Sequence, residues 1–284
     1  MSNIQEHRQR QLSDGCREFA HIVNKSSPAW FEMYYDDAMD YIYCLVSKAS
    51  CTSLKRTLMM LTGNITKFQR PEQLSVAMVH DNKNSDKYIS RLKTLPQADR
   101  DWRFNDYFTF MFVREPLERL VSAYRDKLVE NPAGYHVDVD IVRRYRPRDY
   151  KSSVKRYNVT FAEFVRYVLD QRAAGRVLDR HWIPQNELCR VCKIRYDFVG
   201  HYETLHKDAD FVVNKLKSRI PDVQQRQRVD NITFPADSGH RKSRDFLQQM
   251  FASVPAPQVQ ALYQLYAVDY VLFGFKHPDV TGVN

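Results

Sequence analysis

Two stretches of apolar and aromatic residues have the length of buried strands, and each is followed by a helical pattern. The first is residues 41–46, Y-I-Y-C-L-V, followed over residues 53–63 by leucines at helical spacing and a glycine. The second is residues 107–113, Y-F-T-F-M-F-V, followed over residues 115–130 by an apolar stripe that starts after a proline. Proline suits the first turn of a helix and glycine its end. The pattern predicts two strand–loop–helix segments.

The same alternation continues in the second half of the chain. We expect an amphipathic helix over residues 160–171 with Thr160 as its N-cap, a strand over 194–200, and helices over about 206–219 and 257–270. Strands that alternate with helices predict an α/β fold with a mainly parallel central sheet, flanked by helices on both faces.

The organisation of the chain points to one domain. We find no linker, internal repeat or low-complexity tract, so we expect a single domain over residues 1–284, with residues 1–25 as a weakly patterned N-terminal helical extension. Residues 64–104 read as loop-rich, with a short helix around 88–94, and residues 131–157 as the most irregular part.

Charge adds a preference for an acidic partner. The chain has 284 residues and a formal net charge of +9, which favours nucleic acid, an anionic membrane or a polyanionic glycan; an inert basic surface is the alternative. Part of the excess positive charge comes from one run of cations. This run predicts either a surface loop that binds an acidic ligand or a solvated insertion. This run comprises Arg143, Arg144, Arg146, Arg148, Lys151, Lys155 and Arg156. We find no apolar run long enough to span a membrane, and the polar start of the chain shows no secretory signal.

The cysteines do not form a recognisable metal site. Five are present, so at least one thiol is unpaired within the chain. Cys189-x-x-Cys192 resembles half of a zinc site, but zinc usually takes two such pairs and the other cysteines are scattered. We therefore expect no metal. Four N-x-S/T sequons mark possible glycosylation sites at Asn24, Asn64, Asn158 and Asn231.

The loop after the first strand has the residues of a phosphate-binding loop. Lys48 supplies a cation, and its neighbours are small or slender, namely Ser47, Ala49, Ser50, Cys51, Thr52 and Ser53. Small residues and a helix N-terminus together suit an anion. The Walker A pattern is absent, which disfavours a nucleotide kinase, and an ordinary N-capped helix is the alternative.

The segment after the second strand carries a second set of anion-binding groups. Arg114 ends the strand, and Ser122 lies two helical turns further on. A guanidinium and a hydroxyl suit a phosphate monoester. The alternative is a surface helix with a salt bridge such as Glu115–Arg119. Two phosphate-binding segments predict a ligand with two separate phosphate groups.

Together these segments resemble the 5′-phosphosulfate loop and the 3′-phosphate segment of Golgi carbohydrate sulfotransferases, in particular the chondroitin and dermatan 4-O-sulfotransferase and HNK-1 sulfotransferase group. The resemblance extends over the H-W-I-P run at 181–184, residues 188–205 and the helix at 262–270. It implies a P-loop-like, three-layer α/β fold and PAPS (3′-phosphoadenylyl sulfate) as sulfuryl donor, with no metal. It also implies a location in the Golgi lumen, with membrane contact only through an anchor that this chain lacks.

The resemblance assigns roles to individual residues. It implies that residues Ser47–Ser53 hold the 5′-phosphosulfate, with Lys48 neutralising the leaving phosphate, and that Arg114 and Ser122 hold the 3′-phosphate. Arg241 matches a further donor-binding arginine, although Lys242 and Ser243 replace the family's threonine pair; Ser47 replaces its usual proline. In an oxidising lumen it also implies a short-range Cys189–Cys192 disulfide.

Transfer to a sugar hydroxyl also needs a base. His181 leads because it lies in a matched segment beside Trp182, a ring that could stack on a sugar; a structural histidine is the alternative. Other candidate bases are His80, His136, Asp197, His201 and Glu203.

The function that follows is sulfuryl transfer from PAPS to a glycosaminoglycan, foremost to the 4-hydroxyl of GalNAc in chondroitin or dermatan. The acceptor would contact Trp182 and the basic run at Arg143, Arg144 and Arg146. Alternatives are an HNK-1-type or terminal-GalNAc sulfotransferase, a PAPS-binding protein without turnover, and a non-catalytic polyanion-binding protein. We expect no nucleic-acid partner, and the sequence predicts no oligomeric state.

Overall fold

The computed structural model describes residues 2–23, 32–130, 135–235, 246–278 and 280. Five strands form one sheet in this part of the chain: β1 (Met33–Asp36), β2 (Tyr41–Cys44), β3 (Ser90–Arg91), β4 (Phe108–Val113) and β5 (Phe198–His201). The helices of the first half are α1 (Ser2–Glu18), α2 (Ala20–Val23), α3 (Cys51–Leu61), α4 (Val76–His80), α5 (Asn82–Ser85), α6 (Gln97–Asp106), α7 (Pro116–Tyr124) and α8 (Val137–Tyr145). Those of the second half are α9 (Phe161–Ala173), α10 (Gln185–Cys189), α11 (Leu205–Arg219), α12 (Val223–Val229), α13 (Leu247–Phe251), α14 (Ala256–Leu265) and α15 (Ala267–Phe273).

The strand order is β3-β1-β2-β4-β5, and the sheet is mixed. β2 pairs with β4, and β4 with β5, in parallel, whereas β1 is antiparallel to both β2 and β3. The α/β class is confirmed, but the expectation of a mainly parallel sheet is corrected. The physical reason is a hairpin that the sequence reading missed: the Asp36 carboxylate accepts from the backbone N–H groups of Ala38 and Met39, each at 2.9 Å, and so stabilises the tight turn between β1 and β2.

The chain forms two compact units. We call residues Met1–Arg114 with Gln185–His240 the sheet unit, and Glu115–Pro184 with Arg241–Asn284 the helical unit. The prediction of a single domain stays a prediction.

The sheet unit has an aromatic core because alternate strand residues face the same side of a sheet. Tyr41 and Tyr43 of β2 and Phe110 of β4 are fully buried in one cluster with residues of α3 and α11. The Tyr43 and Phe110 rings stack with their centroids 5.1 Å apart. This packing holds α3, and hence the loop before it, against the parallel strands.

Helix α1 covers the edge of β5. The Gln5 side-chain amide donates to the Val199 carbonyl and accepts from the Val199 N–H, at 3.2 and 3.3 Å. These contacts occupy backbone groups that a sheet edge otherwise exposes. The helical prediction for residues 1–25 is confirmed where they are described, and α1 belongs to the sheet unit as an edge cover.

Two disulfides join distant parts of the sheet unit. Cys16 of α1 is bonded to Cys192, and Cys44 of β2 to Cys189 of α10, whereas Cys51 is free. The expected Cys189–Cys192 disulfide is therefore wrong. The reason is that α10 ends at Cys189 and brings this residue against β2, while Cys192 lies three residues further on and meets α1. The unpaired fifth thiol is confirmed.

The helical unit has its own core, centred on α7, α9 and α14. Tyr124 of α7 packs edge-on against Phe161 of α9, at 5.2 Å between ring centroids. The predicted N-cap is confirmed, because Thr160 and Glu163 form a reciprocal capping box.

Several element predictions needed correction. Residues 131–157 contain α8, whose valine and isoleucine positions bury one face. Residues 64–104 contain α4, α5, β3 and α6 in addition to a 3₁₀ turn at Leu92–Thr94. The final helix is divided at Tyr266 into α14 and α15, and a π-helical turn over Arg125–Glu130 follows α7.

Candidate functional site

The loop between β2 and α3 has a backbone suited to an anion. Lys48 and Ser50 both adopt left-handed conformations, with φ of 71° and 62°. Left-handed residues interleaved with right-handed ones turn successive N–H groups inward, which forms an anion-binding concavity. The Ser50 side chain does not cap α3, and the first helical hydrogen bond runs from Leu54 N–H to the Ser50 carbonyl. The N–H groups of the first turn thus precede the helical ladder and are available to an anion.

The side chains of this loop are packed on the protein side. Ser47 and Ala49 are buried, Lys48 and Thr52 are half-buried, and all belong to the segment predicted to hold a 5′-phosphosulfate. The Thr52 hydroxyl lies 2.8 Å from Nε2 of His80 at the end of α4. A histidine that was only one of several candidate bases is thereby brought to the predicted phosphate loop.

Arg114 stands at the carboxyl end of β4, next to this loop. Its guanidinium donates to the Lys48 carbonyl over 3.3 Å and lies 4.0 Å from the centroid of the Tyr202 ring. Its backbone is fixed by Gln185, which accepts from the Arg114 N–H at 2.9 Å and donates to its carbonyl at 2.8 Å. The structure thus brings Lys48 and Arg114 together, as predicted, and adds Tyr202 and Gln185, which sequence reasoning missed.

Helix α7 is not the surface helix of the alternative interpretation. Glu115 caps it by accepting from the N–H groups of Leu117 and Glu118, at 3.1 and 2.6 Å, and also accepts from the Tyr270 hydroxyl. Burial raises the pKa of Glu115 to about 7. Ser122, on the same helix, is half-buried, and its role toward a 3′-phosphate stays a prediction.

Arg119 of α7 orders the segment that carries His181. Its guanidinium donates to the carbonyls of Arg180 and Ile183, both at 2.7 Å, and only 1% of Arg119 is exposed. The Tyr266 hydroxyl donates to the Trp182 carbonyl at 2.6 Å. Three backbone carbonyls around His181 are therefore held by side chains of the helical unit.

His181 has the surroundings of an oriented base. Its Nδ1 lies 2.7 Å from the Asp179 carboxylate and 2.6 Å from the Tyr135 hydroxyl, which itself donates to Asp179 at 3.0 Å. Because a carboxylate only accepts, we assign the proton to Nδ1, which leaves Nε2 as the basic nitrogen. Burial lowers the pKa of His181, against the opposing effect of Asp179, so the imidazole is neutral near pH 7. Asp179 and Tyr135 were not predicted.

Trp182 does not offer a sugar-stacking face. Its side chain is only 3% exposed, and its ring packs edge-on against Phe164 with centroids 5.2 Å apart. The prediction for Trp182 is therefore wrong, because the ring lies in the core of the helical unit and a sugar cannot reach its face.

Some of the cations predicted to bind the acceptor form ion pairs within the protein, and others are exposed without one in the described structure. Arg146 pairs with Glu163 at 2.8 Å, and Arg144, although exposed, lies 3.5 Å from Asp170. Arg143 is exposed and stacks on Tyr150, 4.4 Å from the ring centroid. Arg148, Lys151 and Lys155 are exposed as well. Acceptor binding by this run stays a prediction.

The remaining candidate bases differ in position. Asp197 precedes β5 and accepts from the Thr109 N–H at 2.9 Å, so it lies at the amino ends of the parallel strands, opposite the loop after β2. His201 is at the carboxyl end of β5, where burial, aided by Arg8, lowers its pKa to about 3. Asp197 thus lies at the end of the sheet away from the phosphate loop, whereas His201 lies at the same end as the loop; a base role for either stays a prediction.

Three of the predicted glycosylation sites are exposed, and two of the predicted site residues lie outside the part of the chain that the structure describes. The sequon residues Asn64, Asn158 and Asn231 are exposed, while Asn24 and Arg241 lie outside the described residues. In the described part of the chain, no group of three or more histidine, cysteine, aspartate or glutamate side chains is arranged to hold a metal ion. No helix among those described combines the length and apolar character that a membrane crossing needs.

The structure is that of an α/β protein in which a helix N-terminus suited to an anion lies beside a buried arginine. Comparison with known proteins specifies it further: residues 32–276 match the model of the sulfotransferase family, and the chain belongs to that family. It is 32% identical to carbohydrate sulfotransferase 14 of Danio rerio, over 98% of this chain and 73% of that protein. It is 33% identical to carbohydrate sulfotransferase 11 of Danio rerio, over 97% and 77%.

A human relative is covered less fully. The chain is 31% identical to carbohydrate sulfotransferase 9 of Homo sapiens, over 96% of this chain but 60% of that protein. It thus spans about three fifths of that relative's length. No solved structure matches the chain at a significant level. The family predicted from the sequence is confirmed, and membership implies PAPS as the sulfuryl donor.

Proposed function

We propose that this chain transfers the sulfuryl group of PAPS to a hydroxyl of a glycosaminoglycan in the Golgi lumen, foremost to the 4-hydroxyl of GalNAc in chondroitin or dermatan. The observation that carries the proposal is the contact of the Arg114 guanidinium with the carbonyl of Lys48, beside a helix N-terminus whose loop is left-handed at Lys48 and Ser50. The order of strand, loop and helix supports the proposal that this loop is P-loop-like.

The residues present fit the donor. The N–H groups at the start of α3 and the Lys48 ammonium suit the 5′-phosphosulfate, where charge accumulates on the leaving phosphate. The Arg114 guanidinium, already oriented by Tyr202, suits the 3′-phosphate. Ser122 and Arg241 are the further residues that the family resemblance assigns to this phosphate. PAPS supplies an activated sulfuryl group; the protein supplies position and charge.

The base role falls to His181 in this proposal. A neutral imidazole with Nδ1–H held by Asp179 can accept the proton of the attacking sugar hydroxyl at Nε2. The fixed carboxylate then stabilises the imidazolium that forms. His80, which touches Thr52, is the second candidate for this role.

The acceptor proposal rests on charge. Exposed cations on and after α8, among them Arg143, Arg148 and Lys151, suit a polyanionic chain. The names of the relatives specify a carbohydrate acceptor and no particular sugar, so an HNK-1-type or terminal-GalNAc acceptor is the second candidate.

The test is transfer of label from sulfur-labelled PAPS to a panel of desulfated chondroitin, desulfated dermatan, heparosan, a glycan that ends in GalNAc, and RNA. We expect label on chondroitin or dermatan and none on RNA. Label on a non-glycosaminoglycan terminal sugar instead would move the acceptor to the second candidate. Binding of RNA without transfer to any glycan would contradict the proposal.

A further inference from the structure

The Tyr202 ring beneath Arg114 belongs to a short turn whose conformation is set by other residues. Tyr202–Thr204 forms a 3₁₀ turn between β5 and α11. The register of β5 with β4 places His201 opposite Val113, so Tyr202 follows β5 beside the residue that follows β4, which is Arg114. The guanidinium lies 4.0 Å from the Tyr202 centroid.

A single buried carboxylate holds that turn. Asp208, only 1% exposed, accepts from the His201 N–H at 2.9 Å and from the Thr204 hydroxyl at 2.6 Å through the same oxygen, Oδ2. These two bonds bracket Tyr202 on both sides. The carboxylate therefore fixes the backbone that carries the ring.

The cation that compensates this carboxylate comes from α1. Arg8 Nη1 donates to Asp208 at 2.8 Å and to the Val199 carbonyl of β5 at 2.9 Å, while Nη2 donates to the Thr204 hydroxyl at 2.9 Å. The side chains of Arg8 and Asp208 are 11% and 2% exposed. A buried carboxylate needs such a partner to stay ionised and hydrogen-bonded.

We propose that Arg8 is a positioning residue for the donor: through Asp208 and Thr204 it fixes the turn that places the Tyr202 ring under Arg114, and so orients the guanidinium for the 3′-phosphate of PAPS. This inference rests on the proposed function. It gives α1 a role at the donor site through Arg8, in a helix that is also held to the sheet unit by the Cys16–Cys192 disulfide.

The test measures binding of adenosine 3′,5′-bisphosphate, the desulfated donor, by titration calorimetry. Removing Arg8 alone would leave Asp208 charged and buried, so the main variant is Arg8→Met with Asp208→Asn, which removes the ion pair together and retains an acceptor for the His201 N–H. Tyr202→Leu, at a half-buried position, interrupts the same path without touching the ion pair. Arg17→Met is the matched control, because Arg17 is on the same helix but pairs with Asp14 at the surface.

We expect the double variant and Tyr202→Leu each to weaken binding by about tenfold, within the range of a partly desolvated cation–π contact. Arg17→Met should bind like the wild type. In an Arg114→Lys background, the double change should weaken binding further by less than about twofold, because its effect passes through the guanidinium.

Unchanged binding in the folded double variant would overturn the inference. Equal weakening in the wild-type and Arg114→Lys backgrounds would also overturn it, since a purely structural effect does not depend on Arg114. If Arg114→Lys and Arg114→Ala themselves bind like the wild type, the proposed donor site fails, which is a distinct result.

Discussion

The guanidinium of Arg114 donates a hydrogen bond to the backbone carbonyl of Lys48 over 3.3 Å, although the two residues are separated by α3, α4, α5 and α6 in the chain. Parallel pairing of β2 with β4 makes this possible, because the segments that follow both strands leave the sheet at the same end. One cation is thus fixed against the loop that carries the other, which concentrates positive charge at the loop proposed to bind the donor.

The left-handed conformation of Ser50 predicts a stabilising substitution. Ser50→Gly should raise the free energy of unfolding by about 1 kcal/mol, because glycine adopts positive φ without a Cβ clash. Binding of adenosine 3′,5′-bisphosphate should persist, since the loop would use backbone N–H groups. Denaturant unfolding and calorimetry measure both quantities. Ser50→Val should be destabilised, and a destabilised Ser50→Gly would show that the loop conformation has been misjudged.

The base assignment predicts a separation of turnover from binding. His181→Ala should lower kcat by about 10²- to 10⁴-fold while leaving the affinity for adenosine 3′,5′-bisphosphate unchanged. Asp179→Asn should lower kcat less, by removing the carboxylate that orients Nδ1–H. In the wild type, the rate should fall with acid below pH 6.5, because the pKa of His181 is lowered and only the neutral imidazole accepts a proton. Near-normal turnover in His181→Ala would contradict the assignment and make His80 the leading candidate for the base.

The buried Glu115 carboxyl predicts a pH dependence of stability. Its pKa is raised to about 7 from an ordinary 4.5, so the folded state binds a proton more tightly than the unfolded state does. The free energy of unfolding should therefore fall as pH rises from about 4.5 to about 7, by on the order of 3 kcal/mol for this group at the upper limit.

Glu115→Gln should remove that slope, because a glutamine can still cap α7 but does not ionise. Unfolding measured at pH 5 and pH 8 for both proteins isolates the effect from other titrating groups. Parallel pH profiles for the wild type and Glu115→Gln would refute the raised pKa.

The exposed cations after α8 predict a selective loss of acceptor affinity. Arg148→Glu with Lys151→Glu should raise KM for a chondroitin acceptor and weaken its salt dependence, with donor binding unchanged. Lys207→Glu with Lys215→Glu on α11 is the control, because it changes net charge equally at two other exposed positions. The same KM increase in both double variants would mean that overall charge, and no particular surface, attracts the acceptor.

The elements around the donor loop could be predicted from sequence because their signals are local. Aromatic strands followed by leucines at helical spacing are visible in the sequence. The family resemblance assigns Lys48 and Arg114 to one ligand, and the structure places the two residues in contact. Thr160 was recognised as an N-cap because a capping box acts within three residues.

The predictions that were wrong, and the contacts that were missed, depend on segments distant from one another in the chain. The pairings Cys16–Cys192 and Cys44–Cys189 span 176 and 145 residues, and spacing along the chain does not select among possible pairings. Trp182 was misjudged because burial of a ring depends on helices that pack against it. The support of Arg114 by Tyr202 was invisible for the same reason, as it follows from the register of β5 against β4.

The most direct test of the central claim is transfer of label from sulfur-labelled PAPS to chondroitin or dermatan by the wild type, Lys48→Ala and Arg114→Ala, with Lys87→Ala as the exposed control. We predict transfer by the wild type and Lys87→Ala, and a loss of about 100-fold or more in Lys48→Ala and Arg114→Ala, since each removes a charge placed for the donor. Transfer at the wild-type rate by Lys48→Ala and Arg114→Ala, in protein shown to be folded, would contradict the account.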